Sequence, residues 1–206
     1  MIDTAFLITS FVTLFVIVDP IGLTPIFLAL TQGMTPAQRR AIALRSTITA
    51  AILLALFTAL GEAVLGFAGI SMAAFRIAGG VLLFLTALDM LFERRNKRRE
   101  DRSEEDDFDD PSIFPLAIPL IAGPGSIATV ILLAGQQPGI AGFAMVMGVV
   151  VAVLAILLVM CLFSGLFERL LGKTGITVVT RLLGMLLAAL SVQFVLDGLR
   201  AFGFAG

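Results

Sequence analysis

Residues 62–71 (Glu62-Ala-Val-Leu-Gly-Phe-Ala-Gly-Ile-Ser71) return 106 positions later as residues 168–177 (Glu168-Arg-Leu-Leu-Gly-Lys-Thr-Gly-Ile-Thr177). A second match follows each stretch, in which Arg76-Ile-Ala-Gly79 corresponds to Arg181-Leu-Leu-Gly184 at an offset of 105. Matching leucines carry little weight in a leucine-rich chain. A glutamate, an arginine and three glycines in register indicate an internal duplication. The chain is therefore predicted to contain two copies of one structural unit.

Each copy contains three segments that are long and apolar enough to cross a membrane, since a spanning helix needs about 20 apolar residues. An odd number of spans makes the second copy enter the membrane from the opposite side, so the two halves are predicted to be inverted repeats. The expected fold is an all-α membrane protein with six transmembrane helices. Its repeats are residues 1–92 and 113–206, joined by a charged linker at 93–112. The predicted spans are Ala5–Leu30, Thr47–Ala68, Ala73–Phe92, Ile113–Ala134, Ile140–Phe167 and Val178–Phe202.

The composition of the 206-residue chain supports membrane insertion and excludes several kinds of chemistry. Hydrophobic residues make up 59% of the chain, charged residues 14%, and mean hydropathy is +1.06, whereas a soluble domain is about 25% charged. The chain has no histidine and a single cysteine, so it offers no imidazole proton relay, no internal disulfide and no thiolate metal cluster. Its net charge of −1 argues against a nucleic-acid partner. No cofactor and no enzymatic activity are predicted.

The basic residues predict the orientation of the chain, because cytoplasmic loops of membrane proteins are enriched in Lys and Arg. With the N-terminus outside, the cytoplasmic segments hold 12 of the 14 basic residues, and the other two are Arg76 and Arg200. Both termini are therefore predicted outside the cytoplasmic membrane. Residues 93–110 carry 15 of the 29 charged side chains and contain a single apolar residue, Phe108, which is too little apolar content to fold on and predicts a solvated cytoplasmic linker.

The first and fourth spans are predicted to be discontinuous, because each contains prolines that cannot donate a helical hydrogen bond. In the first span the break falls at Pro20 and Pro25, with Gly22 between them. In the fourth it falls at residues 123–126 (Gly-Pro-Gly-Ser), after two further prolines. Unwound backbone at membrane depth is tolerated only where it faces protein or water, and matched interruptions in two halves indicate the binding site of a transporter. The alternative is that the prolines only kink their helices.

The two breaks predict a zwitterionic ligand. The free N–H groups at the start of each half-helix suit a carboxylate, and the carbonyls freed from the preceding half suit an ammonium group or another cation. Thr24 and Ser126 add hydroxyl groups, and Asp19 adds an anionic acceptor. The predicted substrate-binding residues are Asp19, Pro20, Gly22, Thr24, Pro25, Gly123, Pro124, Gly125 and Ser126.

Asp19 is also the predicted site of a coupling proton. It lies at the break, and burial favours the neutral form of a carboxyl group. The alternative is an N-cap for the half-helix that begins at Pro20, and one residue can serve in both roles. Near the other end of the chain, Asp197 and Arg200 are predicted to pair with each other, since they lie three residues apart on one helical face.

Two further pairs of charged residues are predicted to act as gates, because ionisable groups in spans are costly and often functional. Glu62 with Arg76 at the outer side, and Glu168 with Arg181 at the inner side, would form salt bridges that each close one face. The alternative is that both glutamates, placed by the sequence at the ends of the second and fifth spans, simply reach the membrane interface.

The motifs at the two breaks resemble those of a known family. The string from Asp19 to Phe27, taken with Pro119-Leu-Ile-Ala-Gly-Pro-Gly-Ser-Ile127, resembles the MarC family of six-span inner-membrane proteins, and the resemblance covers nearly the whole chain. It implies a SnatA-type, proton-coupled transporter of small neutral amino acids such as glycine, alanine and serine. It also implies a relationship with the LysE-type exporters, which share the three-plus-three inverted arrangement, and a binding region at residues 19–25 and 123–126.

The function predicted from the sequence is secondary transport of small neutral amino acids across the cytoplasmic membrane by alternating access. The expected partners are a small zwitterionic substrate, protons and the lipid bilayer, and the prediction allows assembly into an oligomer. The alternative in the same class is an exporter of other small metabolites or drugs, although small residues at the breaks favour a tight site. An intramembrane enzyme is disfavoured by the lack of histidine and of paired cysteines, and a structural role would leave the matched breaks unexplained.

Overall fold

The computed structural model describes residues 4–92 and 110–204. Within these ranges all regular structure is helical. Most of the predicted charged linker at 93–112 lies outside the described residues. The helices are α1 (Thr4–Val18), α2 (Pro20–Leu30), α3 (Pro36–Phe67), α4 (Met72–Leu91), α5 (Ser112–Ile121), α6 (Pro124–Gln136), α7 (Ile140–Leu162) and α8 (Ser164–Ala201).

Five helical stretches are long and apolar enough to cross a membrane, and α5 with α6 makes a sixth if this pair, bent by 55°, counts as one span. The order of these segments is the one predicted from the sequence. Large side chains on their outer surfaces are apolar and exposed, as with Ile52 (63%), Leu85 (54%) and Leu182 (55%). So much exposed apolar surface suits lipid and would be costly in water. The stretches are Thr4–Leu30, Pro36–Phe67, Met72–Leu91, Ile140–Leu162 and Thr174–Ala201.

The helices around the second, fifth and sixth spans differ in their bounds from the predicted ones, and α8 begins at Ser164 and not at Val178. Helix α3 begins at Pro36 and not at Thr47, because Thr35 caps it: the Gln38 N–H donates to Thr35 Oγ1 at 3.3 Å, and the Thr35 N–H donates to Gln38 Oε1 at 2.9 Å. Such a capping box starts a helix regardless of hydropathy. The fifth span ends at Leu162, so Glu168 does not end it as expected. Glu168 lies in the first part of α8, before a break at Gly172.

The helix ends lie on two opposite faces of the molecule. The terminus face carries the start of α1, the end of α3, the start of α4, the loop between α6 and α7 and the end of α8; Gly135, for example, lies against Met72 there. The linker face carries the start of α3, the end of α4, the start of α5 and the turn between α7 and α8. On this face Arg45 pairs with Asp110 at 2.8 Å, and Arg39 lies near Ser164.

Helices α4 and α8 pack antiparallel through glycines. A Cβ atom at Gly80 would lie 2.7 Å from Val195 Cγ2 and 2.8 Å from the Ser191 carbonyl oxygen. Near the other end of the pair, a Cβ atom at Gly184 would lie 2.9 Å from Met90 Cβ. Small residues allow the backbones of membrane helices to approach this closely, and the close approach supplies the van der Waals contact that holds them together.

We expect Gly80→Ala to lower the free energy of unfolding by about 1–3 kcal/mol, because the added methyl group collides with α8 backbone that cannot rotate away. Thermal unfolding in detergent measures this change. Gly66→Ala in α3 is the matched control, since a Cβ atom there meets nothing within 4 Å. Equal melting temperatures for the two variants would contradict the glycine contact.

Candidate functional site

The first break is a single residue, Asp19, between α1 and α2. The prediction of a break at Pro25 was wrong, because α2 continues through Pro25 to Leu30. Its backbone is left-handed, with φ 54° and ψ 65°, a conformation that Asp and Asn adopt more readily than most residues with a side chain. The Asp19 N–H donates to the Phe15 carbonyl at 2.9 Å, so the residue ends α1, and its own carbonyl accepts from the Leu23 N–H at 2.9 Å. Asp19 is completely buried. The chain therefore changes direction locally without leaving its backbone groups unbonded at this point.

The side chain of Asp19 caps α2. Its Oδ1 accepts a hydrogen bond from the Gly22 N–H at 3.0 Å, and Pro20 occupies the first helical position. This is the N-cap considered from the sequence. A Cβ atom on Gly22 would collide with the Asp19 carboxylate in its present position, so a larger residue there would displace the capping side chain. The Thr24 hydroxyl donates to the Pro20 carbonyl at 2.8 Å, which secures the first turn of α2.

The second break is longer and begins with the irregular helix α5. Its peptide bonds before Pro115 and Pro119 are cis, and Phe114 and Ile118 have extended backbone. The chain then turns at Gly123, the N-cap residue of α6. A Cβ atom on Gly123 would collide with the Pro119 carbonyl oxygen. The turn therefore brings two backbone segments too close together for any side chain at this position.

The hydroxyl of Ser126 bridges the second break by donating to the Ile121 carbonyl at 2.8 Å. The start of α6 has no hydrogen bond from a capping side chain, so the N–H groups of Gly125 and Ser126 form an uncapped helix end. An uncapped N-terminus carries a partial positive charge. The sequence predicted free N–H groups at both breaks. In the first break the Asp19 side chain accepts from the Gly22 N–H, whereas the second break has no such side-chain cap.

The second break lies against the last turn of α1. A Cβ atom on Gly125 would lie 3.3 Å from Ile17 Cγ2 and 3.9 Å from the Thr86 hydroxyl oxygen. Gly125 is thus next to a residue two positions before Asp19, and α1 and α6 are in contact. Thr86 was not among the predicted site residues. Its signal was present in the internal repeat, where it corresponds to Ser191, but its proximity to Gly125 depends on how α4 packs.

The remaining predicted binding residues differ in exposure. Pro20, Gly22, Thr24, Gly123 and Ser126 are buried like Asp19, whereas Pro25 and Gly125 are half-buried and Pro124 is exposed. In this conformation the first break is therefore closed to its surroundings, whereas the second break is exposed to its surroundings at Pro124.

Of the four predicted gating residues, Glu62 and Arg76 lie on the terminus face, where they line different cavities. Glu62 is exposed and lines a cavity of about 410 Å³ with Thr58 and Gln137. Arg76 is half-buried and lines a different cavity. Within the described residues Glu62 and Arg76 form no ion pair with each other. On the other side Arg181 is exposed, and the Glu168 side chain lies outside the described part of the structure. Gating by these four residues stays a prediction.

The described part of the chain includes ion pairs near the helix ends on both faces. Asp197 lies 3.9 Å from Arg200, which confirms the predicted pairing, and it also accepts a hydrogen bond from Gln193 Nε2 at 2.9 Å. On the linker face, hydrogen bonds from Ser112 hold the pKa of Asp110 below its usual value, and Arg45 lowers it further. Because this pKa is lower in the folded chain, the stabilisation by Asp110 is present at neutral pH and is lost as the pH falls through the lowered pKa.

Comparisons with known proteins identify similar sequences over almost the full length. The profile of a family described as "MarC family integral membrane protein" matches residues 4–202. The UPF0056 membrane protein YvbG of Bacillus subtilis is 37% identical over 200 residues, covering 95% of each chain. A UPF0056 membrane protein of Archaeoglobus fulgidus is 38% identical over 95% of this chain and 92% of its own. The UPF0056 inner membrane protein YhgN of Escherichia coli K12 is 36% identical over 94% and 96%. No solved structure matches the chain.

Proposed function

Since this chain belongs to the MarC family of integral membrane proteins, we propose that it is a secondary transporter of small neutral amino acids such as glycine, alanine and serine. One observation carries the proposal: the two breaks differ in charge. The first holds a buried carboxylate, Asp19, and the second holds the uncapped positive end of α6. The ammonium group of a zwitterion would bind Asp19, and its carboxylate would bind the N–H groups at the start of α6. Both contacts would be charge-assisted hydrogen bonds.

The size of the site favours small substrates. Gly22, Gly123 and Gly125 place no side chains at the two breaks, and a Cβ atom at Gly125 would lie 3.3 Å from Ile17 Cγ2 and 3.9 Å from the Thr86 hydroxyl oxygen. Glycine, alanine and serine have no side chain or a very small one, so each needs little more space than the backbone of an amino acid. The hydroxyl of Thr86 donates to the Leu82 carbonyl, so its oxygen can still accept a hydrogen bond from the substrate.

We infer that the two halves are inverted repeats, with α1 to α4 equivalent to α5 to α8 in order. If each helix is replaced by its equivalent in the other half, the contact between α1 and α7 corresponds to the contact between α5 and α3. In the same way, the contact between α2 and α7 corresponds to the contact between α6 and α3. The contact of α2 with α8 becomes that of α6 with α4. All six of these helix pairs are in contact. Both α2 and α6 also begin with a proline at the first helical position, 104 positions apart.

The glycine contacts between α4 and α8 support the same symmetry. Gly80 meets Val195, and Gly184 meets Met90. At an offset of 105, Val195 corresponds to Met90, and Gly184 corresponds to Gly79, the neighbour of Gly80. The two contacts are therefore nearly the same contact seen from opposite ends, as in any pairing about a two-fold axis. In alternating access, one such repeat rocks against the other around a substrate site near the midplane.

We propose that the terminus face is the outer one and that the linker face is cytoplasmic. Arg39, Arg40 and Arg45 lie on the linker face, as the rule that basic residues face the cytoplasm requires. A location in the inner membrane is supported by the name of the Escherichia coli relative. In this proposal Asp19 binds both substrate and coupling proton, and the protein is a carrier with no catalytic role.

Uptake into proteoliposomes tests the function. We expect labelled glycine and alanine to accumulate when a pH gradient is imposed, and the accumulation to collapse on addition of a protonophore, because the gradient supplies the energy. Labelled lysine is the matched control, since its side chain adds a cation that the glycine-lined site does not accommodate. Failure to take up or exchange any small neutral amino acid would overturn the proposal.

A further inference from the structure

A second polar cavity lies on the terminus face, away from the two breaks. It has a volume of about 620 Å³, within the usual range for small-molecule sites. Parts of α1, α4 and α8 form its wall together with the end of α6. The polar groups that line it include Ser10, Arg76, Gln136, Gln137, Gln193 and Asp197. Such a concentration of polar side chains is unusual in a chain that is 14% charged.

Two of these polar groups have no hydrogen-bond partner within the described chain. Ser10 is completely buried, and its hydroxyl oxygen makes no hydrogen bond. The Nε of Arg76 is likewise buried and has no acceptor, and Arg76 forms no ion pair with any described residue. Arg76 is half-buried as a whole, but its Nε donor is buried without an acceptor, and a buried donor or hydroxyl group without a partner is costly. Both side chains therefore have donors available for a ligand in the cavity.

The opposite charge is present in the same cavity. Asp197 lines it with its side chain partly exposed, and its neighbour Arg200 is 3.9 Å away, an exposed pair that contributes little. A simple anion that binds Arg76 would be repelled by Asp197, and a simple cation that binds Asp197 would be repelled by Arg76. A molecule that carries both charges satisfies both residues, while the Gln side chains can donate to and accept from it.

We propose that this cavity is an outer binding site for a small zwitterion, with Arg76 and Ser10 donating to its carboxylate and Asp197 accepting from its ammonium group. The identity of the ligand as a small neutral amino acid rests on the proposed function. Ser10 lies nine residues before Asp19 on the first span, so the site is about 13 Å from the first break along the helix. The outer site would bind the substrate before the substrate gains access to the two breaks.

The test measures binding where transport has been removed. In the Asp19→Asn background, we expect 10 mM alanine still to raise the melting temperature in detergent, because ligand binding to the folded state stabilises it. Adding Arg76→Gln should weaken this binding at least tenfold, and adding Ser10→Ala should weaken it less. Adding Arg200→Gln is the matched control, because it removes a cation from the same face outside the cavity and should change the binding less than twofold. Acetate alone and methylammonium alone should stabilise the protein less than alanine.

The possible results separate a failure of the outer site from a failure of the proposed transport function. Alanine binding that Arg76→Gln leaves unchanged, or that Arg200→Gln weakens equally, would overturn the outer site. Stabilisation by phosphatidylglycerol but not by alanine, dependent on Arg76, would also overturn it and would assign the cavity to a lipid phosphate. A wild-type protein that transports no amino acid but binds alanine through Arg76 would overturn the proposed function and leave the outer site standing.

Discussion

Asp19→Asn is expected to reduce the uptake of glycine and alanine at least about tenfold while the protein stays folded. The substitution removes the charge that we assign to the substrate ammonium group and the coupling proton, and a hydrogen bond to a charged group contributes about 1.5–3 kcal/mol. The cap on α2 should survive, because asparagine is as good an N-cap as aspartate and also adopts the left-handed backbone seen at φ 54°. Initial uptake rates in proteoliposomes and the melting temperature in detergent measure the two effects.

Asp19→Ala is the matched comparison for this prediction. Alanine removes both the charge and the hydrogen bond to the Gly22 N–H, and it fits the left-handed backbone poorly. Loss of an N-cap costs about 0.5–2 kcal/mol, and the backbone strain adds to that cost. We therefore expect Asp19→Ala to lower the melting temperature clearly and Asp19→Asn to leave it near that of the wild type. Full uptake by Asp19→Asn would show that Asp19 is only a cap.

Exchange experiments distinguish whether Asp19 binds only the coupling proton or also the substrate ammonium group. If its carboxylate binds only the coupling proton, Asp19→Asn loses accumulation against a gradient but keeps the exchange of labelled for unlabelled alanine. If it binds the substrate ammonium group, exchange is lost as well. The proposed zwitterion site at the two breaks requires the second result, because Asp19 is the anion that this site provides.

The parts of the fold that depend on local chemistry could be predicted from the sequence. A proline suits the first position of a helix, so the starts of α2 at Pro20 and of α6 at Pro124 could be predicted without knowledge of the packing. The same reasoning was wrong for Pro25, which lies inside α2. An Asp before a proline predicts a cap, and Asp19 caps α2. The paired Asp197 and Arg200 follow from helical spacing alone.

The features that the sequence did not predict depend on tertiary contacts or on signals other than hydropathy. The start of α3 at Pro36 rests on a capping box in a polar stretch, which a search for apolar spans passes over. The position of Thr86 beside Gly125 depends on how α4 meets α6. The outer cavity joins residues from four helices, and Arg76 was expected to face Glu62 and not a cavity shared with Asp197.

The sequence also could not distinguish a glycine that is needed for space from one that is not. The sequence drew attention to both Gly66, in the internal repeat, and Gly123, at the second break, and neither has a positive φ that would exclude alanine. A Cβ atom on Gly66 meets nothing within 4 Å, whereas one on Gly123 collides with the Pro119 carbonyl oxygen. The difference arises because the chain bends by 55° between α5 and α6 and brings Gly123 against the Pro119 carbonyl, which is a property of the folded chain.

Gly123→Ala is therefore expected to abolish transport and to destabilise the protein by about 1–3 kcal/mol, the usual cost of overpacking. The φ of −86° and ψ of 174° at Gly123 suit alanine, so the effect comes from the collision and not from backbone strain. The obstacle is a backbone oxygen, which cannot rotate away as a side chain can, and the turn that presents the uncapped end of α6 must open.

Gly125→Ala, whose Cβ would lie 3.3 Å from the Ile17 methyl group, should be milder because that side chain can shift. Gly66→Ala serves as the control in melting and uptake measurements. Wild-type melting and uptake for Gly123→Ala would mean that the turn at the second break is not needed for the site.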